Sequence, residues 1–292
     1  MTTFAFLGPR GTFSDEAARL FASAAAGEEA PVFLECATIP EVFETVRSGA
    51  ADFGVVPIEN SLEGSVTATL DELAFGRRVV IMEERALDIH HCLLATPGTG
   101  KADITTIVSH PQALGQCAQW ILRTFPGRPV IARNSTVDAV QQALAHTGYG
   151  AIASSFAAEL SGAEILERNV EDHSNNQTNF VLIAQEERAE AYLATRRAGK
   201  DQDGRDRPPK SSVALFMWAN KPGALLMILA EFAYAGVNLT KIESRPTKEA
   251  MGEYMFFLDF EGSADDPDVK IALDSLRLKL REVKVLGSYP VA

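Results

Sequence analysis

Three cysteines in 292 residues, at Cys36, Cys92 and Cys117, stand too far apart for any CxxC metal or redox pattern. They read as small buried hydrophobes. Basic residues are scarce as well: 27 Lys and Arg against 39 Asp and Glu leave a formal net charge of −12. That balance argues against nucleic acid or an anionic membrane as partner, since both need a basic surface. The longest apolar run, "GALLMILAEFAYAGV", is interrupted by Glu231 and is too short to span a bilayer. The first residues, "MTTFAFLGPRGTF", lack the basic start, apolar core and small-residue cleavage site of a secretory signal, so a cytoplasmic location is expected. No P-loop, GxGxxG fingerprint or nucleophile-triad motif occurs. His90 and His91 are adjacent and in a strand face opposite ways, which removes the one obvious metal pair.

What is present is the composition of an ordinary soluble globular protein, 46% hydrophobic and 23% charged, with length for more than one core. Up to about residue 186, short strand-like runs alternate with helical patterns: "TFAFL", "PVFLE", "DFGVVPI", "ITTIVS", "RPVIAR" and "YGAIAS" each precede one. Alternation of this kind implies an α/β fold with largely parallel sheets, and the length suits two lobes. "FGRRVVIMEERALDIHHCLLATPG" reads as extended strands crossing between them. In "PQALGQCAQWILRTF" the spacing predicts one helix with Leu114, Cys117, Ile121 and Leu122 in its buried stripe and Gln112 and Gln116 on one flank. Residues 187–210 are charged and rich in Gly and Pro toward their end, the composition of a linker. Beyond it, strand, helix, two strands, helix and strand follow in order. Val269, Ala272, Leu273, Leu276 and Leu280 mark the second helix, and the order βαββαβ is that of a ferredoxin-like module.

The polar loops of the first 186 residues share one position, the carboxyl end of a strand before a helix: "GPRGTFS", "PIENSLEGS", "SHPQ", "NST" and "SS". Each alone is ordinary cap or turn chemistry. Together they line the sheet edge where open α/β folds bind ligands. His110 before Pro111 reads as a catalytic base or as a holder of the strand-to-helix turn. The chemistry on offer is positioning, hydrogen bonding and weak acids.

"FLGPRGTFS", "GVVPIENS", "SHPQALGQC" and "TNF", followed by "GALLMIL" and "ESRP", closely resemble prephenate dehydratases that carry a C-terminal ACT regulatory domain. The first strand starts at once, as in the monofunctional form. The resemblance implies a two-lobed catalytic domain like that of periplasmic binding proteins over 1–186, with lobe 1 at about 1–76 plus 171–186 and lobe 2 at about 77–170. It implies an ACT domain over 211–292. The implied reaction is decarboxylation and dehydration of prephenate to phenylpyruvate in phenylalanine biosynthesis, with no cofactor and no metal. By position, Thr178 is the expected proton donor to the departing hydroxyl, Asn60 and Gln116 orient the ring and leaving group, and Glu59 and Ser109 support them. Arg10, Gly11, Thr12, Ser61, Asn179 and Phe180 are the expected substrate contacts.

Gly223, Ala224, Leu225 and the stretch Glu243, Ser244, Arg245 and Pro246 are the expected phenylalanine site, with feedback inhibition and a homodimer or homotetramer. One departure stands out. The family shows Thr-Arg-Phe where this chain has Thr178, Asn179 and Phe180. A charge-assisted hydrogen bond contributes about 1.5–3 kcal/mol, so restoring arginine at Asn179 is expected to lower the Michaelis constant for prephenate. Arogenate dehydratase, or a non-catalytic sensor of an amino acid or prephenate, are the alternatives.

Overall fold

The computed structural model describes residues 1–25, 30–76, 79–189, 209–249 and 253–291. In chain order it has β1 (Thr3–Leu7), α1 (Phe13–Ala25), β2 (Val32–Cys36), α2 (Ile39–Arg47), β3 (Phe53–Asn60), the short β4 (Gly64–Ser65), α3 (Thr67–Phe75), β5 (Val79–Asp88) and β6 (Cys92–Ala95). Then follow β7 (Thr106–Ser109), α4 (Pro111–Gln116), α5 (Ala118–Thr124), β8 (Val130–Ala132), α6 (Thr136–Ala145), β9 (Tyr149–Ala153), α7 (Ser155–Ser161), β10 (Glu164–Arg168) and β11 (Gln177–Gln185). The C-terminal part comprises β12 (Lys210–Phe216), α8 (Ala224–Tyr234), β13 (Leu239–Pro246), β14 (Tyr254–Glu261), α9 (Pro267–Lys279) and β15 (Glu282–Tyr289).

Each α/β lobe has its own sheet. One has the order β2-β1-β3-β11-β5 with β4 paired to β3, the other β10-β6-β9-β7-β8. The βα repeats pair in parallel, β1 with β2 and β3, β7 with β8 and β9. These strands are continuous apolar runs because helices cover them; Phe4, Phe6, Val55, Val56, Ile107, Val108 and Ile152 are all buried. The third sheet is antiparallel throughout, β13-β14-β12-β15, with α8 and α9 supplying Ile228, Phe232, Val269, Leu273 and Leu276 to its core. This is the βαββαβ module expected from the sequence. Cys36, Cys92 and Cys117 are buried and free, and burial raises each thiol above its usual value. Among the described residues no helix is long and apolar enough to cross a membrane.

The chain divides into two compact units, Met1–Thr69 with Ala86–Phe180, and Leu70–Arg85 with Val181–Ala292. The sequence places 70–76 in lobe 1 and β5 at the crossover; the structure groups 70–85 with the C-terminal sheet. Polar anchoring explains the difference. Lys284 Nζ donates to the carbonyls of Leu73, Ala74 and Gly76 at 2.7, 3.1 and 2.6 Å, where the end of α3 leaves them unpaired. Lys210 Nζ sits between Glu84 Oε2 at 2.8 Å and Asp259 Oδ2 at 3.0 Å. Burial alone would lower that ammonium's pKa, and the two carboxylates outweigh it and hold the pKa above its usual value. Most of the expected linker, 190–208, lies outside the described residues.

One helix differs from expectation. "PQALGQCAQWILRTF" folds as two, α4 and α5, broken at Cys117 with φ −115° and ψ 13°. Asp172 causes the break: its N–H donates to Gln116 O at 2.8 Å, and its carboxylate accepts the N–H groups of Gln119 and Trp120, both at 2.8 Å. The buried stripe runs through Ala113, Cys117, Trp120 and Ile121, and Leu122, expected within it, is 70% exposed.

Candidate active site

Loops at the carboxyl ends of β1, β7 and β8 meet the ends of β3 and β11 around a cavity of about 400 Å³. Its wall includes Thr12, Asn60, His91, Gln116, Ser135 and Thr178. Pro111 starts α4 and His110 caps it, its Nδ1 accepting Gln112 N–H at 3.3 Å. That bond favours the turn-holding reading of His110. Ser135 caps α6 by accepting Asp138 N–H at 3.0 Å.

The chemistry of the wall lies in a chain of amides whose polarity is set at one end by the backbone. Asn60 Oδ1 accepts the N–H groups of Leu62 and Glu63 at 2.9 and 3.0 Å. Backbone amides only donate, so the other side-chain atom of Asn60 is its NH2 group. The two hydrogens of that group reach three acceptors, Thr178 Oγ1 and Asn176 Oδ1 at 2.8 Å each and Gln177 O at 3.1 Å, so one hydrogen is shared. Asn176 Nδ2 then donates to Gln116 Oε1 at 3.1 Å, and His91 Nε2 reaches the same oxygen at 2.9 Å. The Thr178 hydroxyl thus receives a hydrogen bond from Asn60, which leaves its own proton for the cavity. The Gln116 oxygen is fully engaged, which leaves its NH2 group for the cavity.

The structure does not bring every expected residue to this wall. Ser109 is fully buried and its Oγ donates to Ile152 O at 2.5 Å, so it fixes β7 against β9 behind the wall. Glu59 precedes Asn60 in β3 and so takes the opposite pleat; it pairs with Ser65 of β4. Arg10 is ion-paired with Glu35 at 3.1 Å and lines a separate groove of about 340 Å³ with Gly11 and Arg19. Gly11 holds φ +87° and donates its N–H to Asp15 Oδ2 at 2.9 Å. Thr12 does line the cavity. Ser61 ties its loop to the next strand, its N–H donating to Gln177 O at 2.8 Å and its Oγ to Asn175 O at 3.2 Å. Asn179 lies on the pleat opposite Thr178, outside the cavity wall, and Phe180 is a core residue, 2% exposed.

In the C-terminal unit Gly223, at φ +84°, precedes α8, and with Ala224 and Leu225 it lines a groove of about 360 Å³ beside Met217 and Phe256. The stretch 243–246 belongs to the edge strand β13 and does not line that groove; Arg245 Nη2 donates to Asp71 Oδ1 at 2.9 Å. Two residues of the relay were not singled out from sequence, Asn176 and His91. Asn176 stands inside the amide-rich run "SNNQTNF", which was the available signal. For His91 the sequence offered only a test for metal pairing.

Comparison with known proteins fits this geometry. The family model described as prephenate dehydratase matches residues 4–188, and the ACT domain model matches 216–277. Prephenate dehydratase of Amycolatopsis methanolica is 37% identical over 289 residues, which cover 99% of this chain and 88% of that protein. The crystal structure of prephenate dehydratase from Arthrobacter aurescens in complex with L-Phe superposes with a TM-score of 0.83 at 34% identity, covering 99% of this chain and 89% of the other. A chain described as GqqA, a novel type of quorum quenching acylase, superposes with a TM-score of 0.81 at 30% identity, covering 99% and 98%. A family model spanning more than half the chain, and a relative similar along nearly all of it, place this protein in the prephenate dehydratase family.

Proposed function

We propose that this chain converts prephenate to phenylpyruvate, CO2 and water, and that the amide relay ending at Thr178 carries the dehydration. The bond from the ring to its carboxylate breaks, its electron pair enters the ring, and the ring's C–O bond opens to release hydroxide. Aromaticity supplies the driving force, so the protein has only to hold a dianion and stabilise the departing oxygen. Thr178 offers its proton to that oxygen, and the NH2 group of Gln116 offers a second donor. Asn60 donates to one lone pair of the Thr178 hydroxyl, which keeps that hydroxyl's proton off Asn60 and available to the departing oxygen. The substrate carboxylates meet the amino-terminal ends of α1 and α6, whose residues 12–14 and 134–136 line the cavity in a protein of net charge −12. Polarity of the relay is the observation that carries this reading. Incubation of pure protein with prephenate should produce the ultraviolet absorbance of phenylpyruvate, with arogenate turned over far more slowly; no absorbance would overturn the reading.

The likeness to the quorum-quenching acylase gives a second activity to assay, but Thr178 is not placed as its nucleophile. Acyl transfer needs a hydroxyl or water beside a base. The Thr178 hydroxyl sits beside an amide donor instead.

Asn179 now has a different expectation. Because its side chain is off the cavity wall, Asn179→Arg should change KM for prephenate by less than about threefold, short of the ten- to hundredfold effect of a direct charge-assisted contact. Steady-state kinetics on the single variant decides the point.

In the same reading phenylalanine binds at the start of α8, near Gly223, Ala224 and Leu225, and inhibits the enzyme. Exposed Trp218, Leu226 and Ile242 suit the face of a homodimer or tetramer in the cytoplasm. Asp71 of α3, paired with Arg245 and Lys248, joins the 243–246 strand to a helix that starts one residue after Val66 of the cavity wall. Asp71→Asn should raise the half-inhibiting phenylalanine concentration by about three- to tenfold, the scale of a modest coupling energy, and leave uninhibited kcat within about twofold. Unchanged inhibition would separate this ion pair from regulation.

A further inference from the structure

His91 stands in the cavity wall, and its surroundings dictate where its proton sits. It is 2% exposed, it packs edge-on to the Phe13 ring with centroids 5.7 Å apart, and its Nε2 lies 2.9 Å from Gln116 Oε1. The direction of that last bond is not a free choice. The backbone N–H groups of Leu62 and Glu63 fix Asn60, Asn60 fixes Asn176, and Asn176 fixes the oxygen of Gln116 toward His91. His91 Nε2 therefore donates and carries the proton. Its Nδ1 is buried with no hydrogen-bond partner among the described residues.

We propose that His91 is a positioning residue for the dehydration: a neutral imidazole protonated on Nε2 that holds the Gln116 carboxamide so that both hydrogens of its NH2 group face the substrate. The inference deepens the dehydratase reading and rests on it. The opposite tautomer would turn the Nε2 lone pair toward an oxygen, and relieving that repulsion by flipping Gln116 would set two NH2 groups against each other at Asn176. The imidazolium is excluded for another reason, since its second proton on Nδ1 would be buried without an acceptor. The charged and titratable neighbours are Glu171, whose Oε2 accepts the backbone N–H of His91 at 2.8 Å, and His90, whose Nδ1 is 2.7 Å from Glu171 Oε1. His110 shares the cavity wall. Burial lowers the His91 pKa, outweighing the upward pull of the Gln116 bond and the Glu171 charge, while His90 adds to the lowering. His91 thus serves as a fixed donor, not as a proton shuttle.

The test has a spectroscopic arm and a kinetic arm. The chain has five histidines, so ring-nitrogen NMR of histidine-labelled protein is tractable, and His91→Gln assigns the signal by its loss. The expected result is a neutral ring protonated on Nε2 from about pH 5.5 to 8; a proton on Nδ1, or a midpoint near the ordinary value of about 6.5, overturns the proposal. Kinetically, His91→Leu should lower kcat about tenfold, the scale of one lost hydrogen bond, with KM within about threefold. His91→Gln, which keeps an N–H at similar reach, should recover kcat to within about threefold of the parent. Equal impairment of both variants at unchanged melting temperature, or impairment of neither, overturns it. If the Leu variant fails to fold, the tautomer measured on the parent protein decides. If the parent itself does not turn over prephenate, the dehydratase reading fails separately, and the NMR arm still establishes which nitrogen of His91 carries the proton.

Discussion

Thr178→Val should reduce kcat by about a thousandfold, in the range found when one donor to a developing oxyanion, or one acid, is removed from an active site. Valine matches threonine in shape, and Asn60 keeps two other acceptors, Asn176 Oδ1 at 2.8 Å and Gln177 O at 3.1 Å. The relay therefore survives the change, and the loss reports the missing hydroxyl alone. Thr178→Ser, which retains the hydroxyl at the cost of rotamer freedom, should stay within about tenfold of the parent. Thermal melts of both variants should match the parent because the side chain makes no other polar contact among those described. A valine variant with more than about a tenth of parental kcat would remove Thr178 from the mechanism altogether.

The largest effect on stability is expected far from the cavity, at Gly287. This residue sits in β15 beside a bulge, where Ser212 pairs with Gly287 but Val213 already pairs with Val285. Its φ is +152°, and a Cβ built there would lie 2.3 Å from Ile81 O and 3.1 Å from Ile81 N and C. Those are backbone atoms of β5, which cannot swing aside as a long side chain would. The same approach brings Lys210 to Glu84 and Lys284 to the end of α3. Gly287→Ala thus combines backbone strain with the opening of a buried polar contact. A loss of about 4 kcal/mol is expected, at the upper end for single substitutions, and with it a drop in melting temperature on the order of 10 °C. Scanning calorimetry or a urea melt checks it. A shift under about 2 °C would mean that β5 and β15 part without cost.

Gly287 also illustrates what a sequence withholds. In "VKVLGSYP" it is one glycine in a run of strand formers, and nothing local says that another backbone comes within contact distance. The split of the predicted helix at Cys117 has the same origin, because Asp172 takes the Gln116 carbonyl from 56 residues away. The expected stripe also misplaced one residue: Leu122 is left in solvent, and Trp120 joins Cys117 and Ile121 in the core instead. By contrast the stripe Val269, Ala272, Leu273, Leu276 and Leu280 was legible because a helix with no intruding partner keeps its phase.

Candidate site residues divide along similar lines. Thr178, Asn60 and Gln116, the residues to which motif position had pointed, reach one wall. Glu59 and Asn179 fall off it through the simplest rule of strands, that neighbours face opposite ways, which motif position ignores. Arg10 turns to Glu35, an acidic partner contributed by a different strand.

The amino-acid order by itself determined the alternation of strands and helices, the βαββαβ tail and the row of polar loops at strand ends, since these follow from local periodicity and turn chemistry. Only the tertiary structure decided which way each amide points, where the helix after β7 breaks and where backbones touch. Hydrogen-bond polarity and close approach depend on partners distant in sequence, and here the direction of the whole relay is inherited from two backbone amides, at Leu62 and Glu63, that can do nothing but donate.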